Sequence, residues 1–405
     1  MKKKRVCNIF LLLCICGIVC SGCAGEELLN RVPKTTALNA KEKEQTPMPA
    51  VTLEPAVSYL NENASCFTYN RLSEAEKLWY RDMEKLLGSL SEKGMLSEEG
   101  IRLGLDETDI DKVFQCLLND HPELFYVDGY TYTKYMLGEE ILSIEFAGNY
   151  NLDPDTVKLR KQEIEEAAEK ILSGISMEES DYAKIKYVYE TLILNTDYDL
   201  TAPDNQNIYS VFVHHKSVCQ GYAKATQYLL NRLGVECTLV QGVVDTGEGH
   251  AWNLVMSDSG FYYLDTTWGD VHYQTGEEQI PAEGYPEINY DYLCITTKEL
   301  LRTHTLTPLV PMPECVDTKD NFYVREGTYF TEYDREQLEK VFTQTDGLQK
   351  QVVNIRCKTQ ECFLEIKNAL IDEYEIFEYM DAGEGQISYS HNEKGLSMSF
   401  WVTNE

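Results

Sequence analysis

Residues 217–270 read SVCQGYAKATQYLLNRLGVECTLVQGVVDTGEGHAWNLVMSDSGFYYLDTTWGD, and this stretch decides the fold of the central part of the chain. After Cys219, apolar residues recur at helical spacing as far as Gly234, a residue type that ends helices in a left-handed conformation. We predict a helix with Ser217 as its N-cap, Cys219 in its first turn and Gly221 keeping that turn narrow. In the first turn, unpaired backbone N–H groups and the helix dipole favour the thiolate form of a cysteine.

Two strand-like runs follow, residues 250–256 and 261–265, on either side of the turn-rich tetrapeptide at 257–260. They predict a hairpin, whose symmetric turn gives these facing pairs: Met256 with Phe261, Leu254 with Tyr263 and Trp252 with Asp265. Alternation then puts His250 on the same face as Asp265, as diagonal neighbours about 7–8 Å apart at Cα. A thiol, an imidazole and a carboxylate in this order indicate a nucleophile, a base and an orienting group.

Three pieces of this stretch resemble the transglutaminase-like superfamily, a papain-related group of Cys-His-Asp enzymes. They are Val-Cys219-Gln-Gly-Tyr-Ala, His250-Ala-Trp-Asn and Tyr-Leu-Asp265-Thr-Thr-Trp-Gly-Asp270, in the family's order and approximate spacing. The resemblance covers roughly residues 178–297 and implies that Cys219 is the nucleophile, His250 the base and Asp265 the residue that orients the imidazole. One departure is His215-Lys216-Ser217, where relatives often carry a glycine. The family also contains members that have lost activity.

The resemblance implies an α+β fold with a papain-like/transglutaminase-like core, in which the cysteine-bearing helix packs on an antiparallel sheet between small α/β modules. A chain of 405 residues with 43% hydrophobic and 11% aromatic residues is globular and long enough for two or three domains. The predicted division is a signal peptide at 1–22, a flexible tether at 23–60, an N-terminal α+β module at 61–175, the transglutaminase-like catalytic core at 176–313 and a C-terminal small α/β domain at 314–405.

Periodicity and turn residues also predict elements outside the central stretch. The N-terminal module is expected to open with a short strand near Cys66, before a helix that starts with a capping box at Ser73. Residues 290–295 are expected to form the last strand of the core. The C-terminal domain is expected to contain strands at 322–330, 351–357, 387–390 and 396–402, with helices at 334–345 and 360–371.

The N-terminus is typical of an exported lipoprotein. Four basic residues at positions 2–5 precede the apolar run 9–19, and Cys20-Ser-Gly-Cys23 resembles a lipobox with cysteine where leucine is usual. Cleavage there makes Cys23 the lipidated first residue. An uncleaved membrane anchor and an ordinary secretory signal are the alternatives, and all three export the protein. We expect a cell-membrane protein that is lipid-anchored on the extracytoplasmic face.

The charge of the chain excludes some partners. Its net charge is −31, and removing residues 1–22, which hold four basic and no acidic side chains, makes it −35. Such a chain repels nucleic acid and anionic membrane surfaces, so no nucleic-acid partner is expected. The expected partners are a protein or cell-wall peptide substrate, and the membrane through the lipid on Cys23. The sequence carries no indication of an oligomeric state.

The cysteines do not indicate a metal site. Of 13 cysteines, eight follow Cys23, and they form no tandem C-x-x-C pattern of the kind that holds structural zinc. No metal and no cofactor is expected. Cys357 and Cys362 are close enough in sequence for a small-loop disulfide, and two buried thiols are the alternative.

Acyl transfer requires groups besides the triad. The Cys219 backbone N–H, with a side-chain donor from Gln220 or Tyr209, is expected to meet the oxyanion. Three aromatic residues are predicted to wall the substrate cleft, with core packing as the alternative: Tyr222, Trp252 and Trp268. Attack by the thiolate on an amide forms a thioester. Hydrolysis of the thioester, as in a cysteine peptidase or amidase, is the first choice because water is abundant at a cell surface. The alternatives are transfer to a primary amine, as in a transglutaminase, and a non-catalytic module that binds a peptide or protein in its cleft.

Overall fold

The computed structural model describes residues 53–55, 66–271, 286–343, 352–381, 383 and 385–403. The predicted signal peptide, Cys23 and most of the predicted tether lie outside these residues. The described chain forms two compact units. The first contains residues 53–55, 66–267 and 292–317, and the second contains residues 268–271, 286–291 and the described residues from 318 onward. None of the helices in the described ranges combines the length and the apolar character needed to cross a bilayer.

Helix starts in the described residues follow local capping chemistry. Ser73 and Glu76 form a reciprocal capping box, and Asp153 accepts hydrogen bonds from the first turn of a helix that has proline at its start. The helices are α1 (Phe67–Asn70), α2 (Glu74–Gly88), α3 (Glu98–Arg102), α4 (Asp109–Asp120), α5 (Pro154–Leu172), α6 (Asp181–Asn195), α7 (Cys219–Arg232), α8 (Thr266–Gly269), α9 (Thr297–Leu300), α10 (Phe322–Arg325), α11 (Arg335–Phe342), α12 (Gln360–Lys367) and α13 (Ile376–Tyr379).

Five sheets are formed by the strands of the described residues. The strands are β1 (Leu53–Pro55), β2 (Gly94–Met95), β3 (Val127–Leu137), β4 (Glu140–Tyr150), β5 (Asp197–Tyr198), β6 (Lys216–Ser217), β7 (Cys237–Val244), β8 (Gly249–Ser257), β9 (Gly260–Leu264), β10 (His304–Leu306), β11 (Met312–Glu314), β12 (Tyr329–Phe330), β13 (Val352–Cys357), β14 (Gln386–Asn392) and β15 (Ser397–Thr403). The sheet at the centre of the first unit has the order β10-β7-β8-β9, and all its pairings are antiparallel.

Helix α7 packs on this central sheet through small residues. Ala223 of the helix meets Leu239 and Ala251 of strands β7 and β8, and Cys219 packs against the same cluster. The short side chains allow the helix and the sheet to approach closely. Asn253 of β8 adds a buried link, because its amide donates to the Ala223 carbonyl at 2.9 Å. A cysteine-bearing helix on an antiparallel sheet confirms the predicted α+β fold class.

The predicted N-terminal module lies in the same compact unit as the central sheet. Asn119 at the end of α4 donates to Thr238 of β7 at 3.0 Å, and Gln227 of α7 donates to the Asn119 carbonyl at 2.8 Å. All three side chains are buried. Helix α4 is therefore tied both to the sheet and to the helix that carries Cys219. The division into five domains stays a prediction.

The strand predicted near Cys66 was wrong, because these residues form helix α1. The buried Asp120 carboxylate accepts the backbone N–H groups of Thr68 and Tyr69 at 3.0 and 2.9 Å, so it satisfies the first turn of α1 from 51 or 52 residues away. A partner this distant cannot be read from local sequence. Three residues of the predicted tether also form a strand, since β1 pairs in parallel with β11.

The strand predicted at residues 290–295 was also wrong. Tyr290–Tyr292 is a single 3-10 turn, Cys294 has a left-handed backbone with φ of 55°, and only Ile295 bridges to Tyr263 of β9. The outer strand of the central sheet is instead β10, which pairs with β7. Its first residue is His304.

The second unit contains a four-stranded sheet of order β12-β13-β15-β14, built around a core that includes Phe330, Phe342 and Phe400. The strand predicted at 322–330 is instead helix α10, whose N-cap is Asn321, followed by the two-residue strand β12. The helix predicted at 360–371 ends as α12 at Lys367 and continues into the π-turn Asn368–Asp372. Cys357 and Cys362 are buried thiols, the second of the two alternatives above.

Candidate active site

The thiol of the site lies at the first residue of α7. Cys219 is half-buried, and the helix is capped by the Val218 backbone without a side-chain hydrogen bond. The prediction that Ser217 is the N-cap was wrong, because the Ser217 hydroxyl donates to the Asn205 carbonyl at 2.7 Å. The Val218 N–H donates to the same carbonyl at 3.1 Å. The Asn205 carbonyl therefore fixes the loop before α7 through two hydrogen bonds. The thiol lies at the positive end of the helix dipole.

Gly221 is needed for this arrangement. A Cβ at this position would lie 1.9 Å from the Ser217 hydroxyl oxygen and 3.0 Å from the Asn205 carbonyl oxygen. The first distance is too short for a Cβ and the second is tight, so a side chain here would displace the Ser217 hydroxyl that holds the loop before α7.

The imidazole and the carboxylate come from the hairpin formed by β8 and β9. The predicted register is confirmed at two pairs, Met256 with Phe261 and Leu254 with Tyr263. Asp265 follows the last residue of β9, and its carboxylate Oδ2 lies 2.7 Å from Nε2 of His250. Both side chains are buried. Because Nε2 faces Asp265, the other ring nitrogen, Nδ1, is the one available to Cys219.

The electrostatics of the site favour a charged imidazole. Burial lowers the pKa of His250, but the charge and the hydrogen bond of Asp265, together with Cys219, overcome burial and raise this pKa to about 10. Burial acts to raise the pKa of Asp265, but His250 and then His304 hold it well below its ordinary range. The carboxylate therefore stays ionised, and the buried histidine retains its proton.

His304 is a fourth member of the cluster, and sequence reasoning missed it. Its Nε2 lies 3.2 Å from Oδ2 of Asp265, and its Nδ1 lies 2.8 Å from the Thr303 hydroxyl oxygen. The ring is fully buried. The available signal was the alternation of Thr303-His-Thr-Leu306, which is typical of a strand with its histidine turned inward.

Two aromatic residues predicted to wall the cleft are core residues. Trp252 is fully buried on β8, where it stacks on His250 with ring centroids 5.9 Å apart and meets His304 edge-on at 4.8 Å. Tyr222 is also fully buried, and its hydroxyl donates to the Thr196 carbonyl. Trp252 therefore supports the two imidazoles from within the core, whereas Tyr222 holds α7 to the end of α6.

The remaining candidates differ in what their side chains contact. The Tyr209 hydroxyl donates to Glu163 at 2.8 Å, so its proton is already engaged by this carboxylate. Gln220 is half-buried in the first turn of α7, directly after Cys219. Trp268 is half-buried in α8, three residues after Asp265, and belongs to the second compact unit. Of the two oxyanion candidates, Gln220 is the one that adjoins Cys219 in α7.

Among the described residues, one group has the donor atoms to hold a metal ion: His250, Asp265 and His304, whose nitrogens and oxygen lie within 4.8 Å of one another. The two nitrogen–oxygen distances to Asp265 are those of hydrogen bonds. Charge-assisted hydrogen bonds account for these contacts, so we describe the group as a hydrogen-bonded network of two imidazoles and one carboxylate.

The fold and the site together define a class: an α+β domain with a helix-borne cysteine beside a buried histidine–aspartate pair. Residues 167–266 match the family model described as the transglutaminase-like superfamily, and the match includes Cys219, His250 and Asp265. This segment is a transglutaminase-like domain. The match begins and ends earlier in the chain than residues 178–297, the range over which the motifs indicated the resemblance. No curated protein matches the chain in sequence.

Solved structures that match part of this chain are far from it in sequence. One, titled "Crystal structure of a TGase", is 18% identical with a TM-score of 0.26, and the match covers 40% of this chain and 48% of that one. Another is the periplasmic domain of TgpA from Pseudomonas aeruginosa bound to ethylmercury, at 15% identity and a TM-score of 0.20, covering 35% and 66%. The chain thus spans about half to two thirds of the length of these relatives.

Proposed function

We propose that the protein is an exported cysteine-nucleophile hydrolase, a peptidase or amidase that acts through a thioester on peptide or protein amides. The observation that carries this proposal is the buried contact of 2.7 Å between His250 and Asp265, on the sheet against which Cys219 packs. A hydrogen bond with Cys219 is among the interactions that raise the pKa of His250. The Cys219 thiol, the His250 imidazole and the Asp265 carboxylate are thus linked by hydrogen bonds.

Each group has a defined task in the proposed reaction. The imidazolium of His250 stabilises the Cys219 thiolate, which attacks the carbonyl carbon of the substrate amide. His250 then gives its proton to the leaving amine, and the C–N bond breaks to leave the thioester. In the second half, neutral His250 takes a proton from water, which attacks the thioester carbonyl. The C–S bond then breaks, which releases the acid and restores the Cys219 thiolate beside the imidazolium. Asp265 holds the ring in one orientation and stabilises its charged form throughout.

We propose that the oxyanion formed on the substrate carbonyl is stabilised by hydrogen bonds at the start of α7. The helix has no side-chain cap, so the backbone N–H of Cys219 is directed to the end of the helix where the thiol lies. The half-buried Gln220 side chain is the proposed second donor. Preorganised donors of this kind contribute strongly because they need no rearrangement as charge develops.

The cellular setting is part of the proposal. The lipobox-like Cys20-Ser-Gly-Cys23 supports a protein held on the outer face of the cell membrane by a lipid on Cys23. There its substrates would be surface proteins or cell-wall peptides. Mass spectrometry of the membrane fraction tests the location. A diacylglyceryl cysteine at position 23 supports the proposal. A mature chain that has an unmodified Cys23, or that begins after Cys23, contradicts it.

The reaction is tested by supplying water and an amine together. A glutamine-containing protein is incubated with the enzyme and a fluorescent primary amine, and cleavage products and labelled product are measured in parallel. We expect release of ammonia or new peptide termini to exceed amine incorporation. Dominant incorporation instead identifies a transglutaminase.

Two variants separate catalysis from binding in this assay. Cys219→Ala must abolish either signal. Cys66→Ala is the matched control, because Cys66 is the other half-buried cysteine of the described residues and has no part in the site. Retention of the substrate protein by both variants without any turnover identifies a binding module and contradicts the proposed chemistry.

A further inference from the structure

We infer that His304 is a positioning residue of this site, which fixes the Asp265 carboxylate through a second N–H donor and so keeps His250 aimed at Cys219. The inference rests on the proposed function for its consequence in turnover. It stands on the geometry of four side chains, of which three were expected from the sequence. His304 lies 39 residues after Asp265 and outside the segment that matches the family model.

The proton positions follow from the charge of Asp265. An ionised carboxylate only accepts hydrogen bonds, so each ring nitrogen within reach of it must carry a hydrogen. His250 Nε2 at 2.7 Å and His304 Nε2 at 3.2 Å both face the same oxygen, Oδ2. Oδ2 is therefore held between two donors, which restrict rotation of the carboxylate about its own bond.

The opposite side of the His304 ring is also engaged. Nδ1 lies 2.8 Å from the Thr303 hydroxyl oxygen. A hydroxyl can donate to or accept from this nitrogen, and the Thr303 hydroxyl also donates to the Leu300 carbonyl at 3.5 Å. The contact thus fixes the orientation of the ring, with Nε2 turned to Asp265, in the way that outer partners of a catalytic histidine set its orientation.

The surroundings of His304 hold it in place and leave it no contact with substrate. The ring is fully buried and is enclosed by three aromatic rings, those of Trp252 at 4.8 Å, His250 at 5.6 Å and Tyr292 at 5.7 Å between centroids. Its neighbours with ionisable side chains include Asp265, His250 and Tyr292. A residue so placed acts through Asp265.

The backbone supports the same role. His304 begins β10, whose register with β7 places His304 opposite Val244 and Leu306 opposite Gly242. Gly242 also pairs with His250 across β7 and β8. A Cβ on Gly242 would lie 2.0 Å from the Thr305 carbonyl oxygen and 2.6 Å from the Trp252 ring. The glycine therefore allows β10 to lie close to β7 and leaves room for the Trp252 ring, which contacts His304.

The test compares two side chains of equal length that differ in the donor. His304→Gln keeps an N–H at about the position of Nε2, and His304→Met does not. We expect alkylation of Cys219 by iodoacetamide at pH 6 to slow about 10- to 100-fold in His304→Met, on the scale of losses seen when a metal-bound histidine loses its outer hydrogen-bond partner. His304→Gln should stay within about threefold of the parent, since it restores the donor. Thr305→Ala, on the exposed face of the same strand, is the control and should not change the rate.

A spectroscopic reading accompanies the rates. In protein labelled with ¹⁵N-histidine, the Nε2–H proton of His250 should give a slowly exchanging, downfield signal that His304→Met broadens or shifts and His304→Gln restores. Both measurements need no substrate, so they remain readable even where the proposed hydrolysis is not observed.

Two outcomes would show that the N–H donor of His304 does not position Asp265. Parent-like reactivity and an unchanged His250 signal in His304→Met overturn the inference. Equal losses in the Met and Gln variants also overturn it, because ring shape would then matter and the N–H would not. If His304→Met does not fold, His304→Asn replaces it. Its amide is one methylene too short to reach Asp265, so it should be slow where His304→Gln is fast, and equal rates refute the inference.

Discussion

Replacing Asp265 by asparagine removes one negative charge while keeping an oxygen where Oδ2 accepts hydrogen bonds. In the parent protein, burial lowers the pKa of His250, and Asp265 and Cys219 raise it from 6.5 to about 10. That rise corresponds to about 5 kcal/mol in favour of the charged ring, at about 1.4 kcal/mol for each pKa unit. Asp265 is the strongest of these partners and burial opposes the charge, so Asp265→Asn should lower the pKa of His250 by most of this rise or more.

The assay is a titration of the His250 ring by ¹⁵N NMR in the parent and in Asp265→Asn. The parent should show the imidazolium until about pH 10, and the variant should lose it below about pH 8. An unchanged midpoint in the variant would refute the reasoning, since it would mean that the carboxylate does not stabilise the imidazolium. Turnover should fall by up to about 10⁴-fold, the loss seen when a triad carboxylate becomes an amide.

The same pair makes a pH-dependent contribution to stability. A raised histidine pKa stabilises the fold fully below 6.5, and this contribution is lost as the pH rises through about 10. A lowered aspartate pKa stabilises it fully above 3.8, and this contribution is lost at lower pH. The difference in melting temperature between the parent and Asp265→Asn should therefore be largest between about pH 4 and 6.5 and should shrink towards pH 10. A difference that grows with rising pH would contradict this sign.

Three further substitutions test the packing around the site. Gly221→Ala should destabilise the protein by about 1–3 kcal/mol in chemical denaturation, as overpacking does, and should slow alkylation of Cys219. Gly88→Ala is the control and should be neutral, because the space around its Cβ is open. Equal effects of the two substitutions would contradict the close approach of α7 to the preceding loop. Tyr209→Phe should change kcat less than about threefold, because an oxyanion donor would cost about 10²–10³-fold and this hydroxyl is engaged elsewhere; a loss of 10²-fold would restore it as the donor. Trp252→Phe should lower the free energy of unfolding by roughly 1–3 kcal/mol and reduce kcat more than it changes KM, and a pure KM effect would instead place Trp252 at the cleft.

The parts of the site that could be predicted are those set by local spacing. Residues 250–265 hold one hairpin, so a symmetric turn determines which side chains face each other, and the His250–Asp265 contact follows. The start of α7 at Cys219 follows from helical periodicity in the same way. The fold class was predictable because the helix and the hairpin are contiguous in sequence.

The parts that could not be predicted depend on partners far along the chain. His304 reaches Asp265 only because β10 pairs with β7, and no local pattern specifies that pairing. Asp120 turns residues near Thr68 into a helix by the same kind of distant contact. The helical pattern showed that Tyr222 lies on the apolar face of α7, but it could not tell core from cleft, because both environments select aromatic side chains.

The most direct test of the central claim is the pH dependence of alkylation at Cys219. Intact protein is treated with iodoacetamide between pH 5 and 10, and the modified cysteines are identified by peptide mass spectrometry, with Cys66 as the half-buried internal reference. Cys219 should react well below pH 8, faster than Cys66 and faster than the six buried thiols of the described residues. Reaction of Cys219 only above about pH 8, with the profile of an ordinary thiol, would contradict a thiolate stabilised by His250 and Asp265.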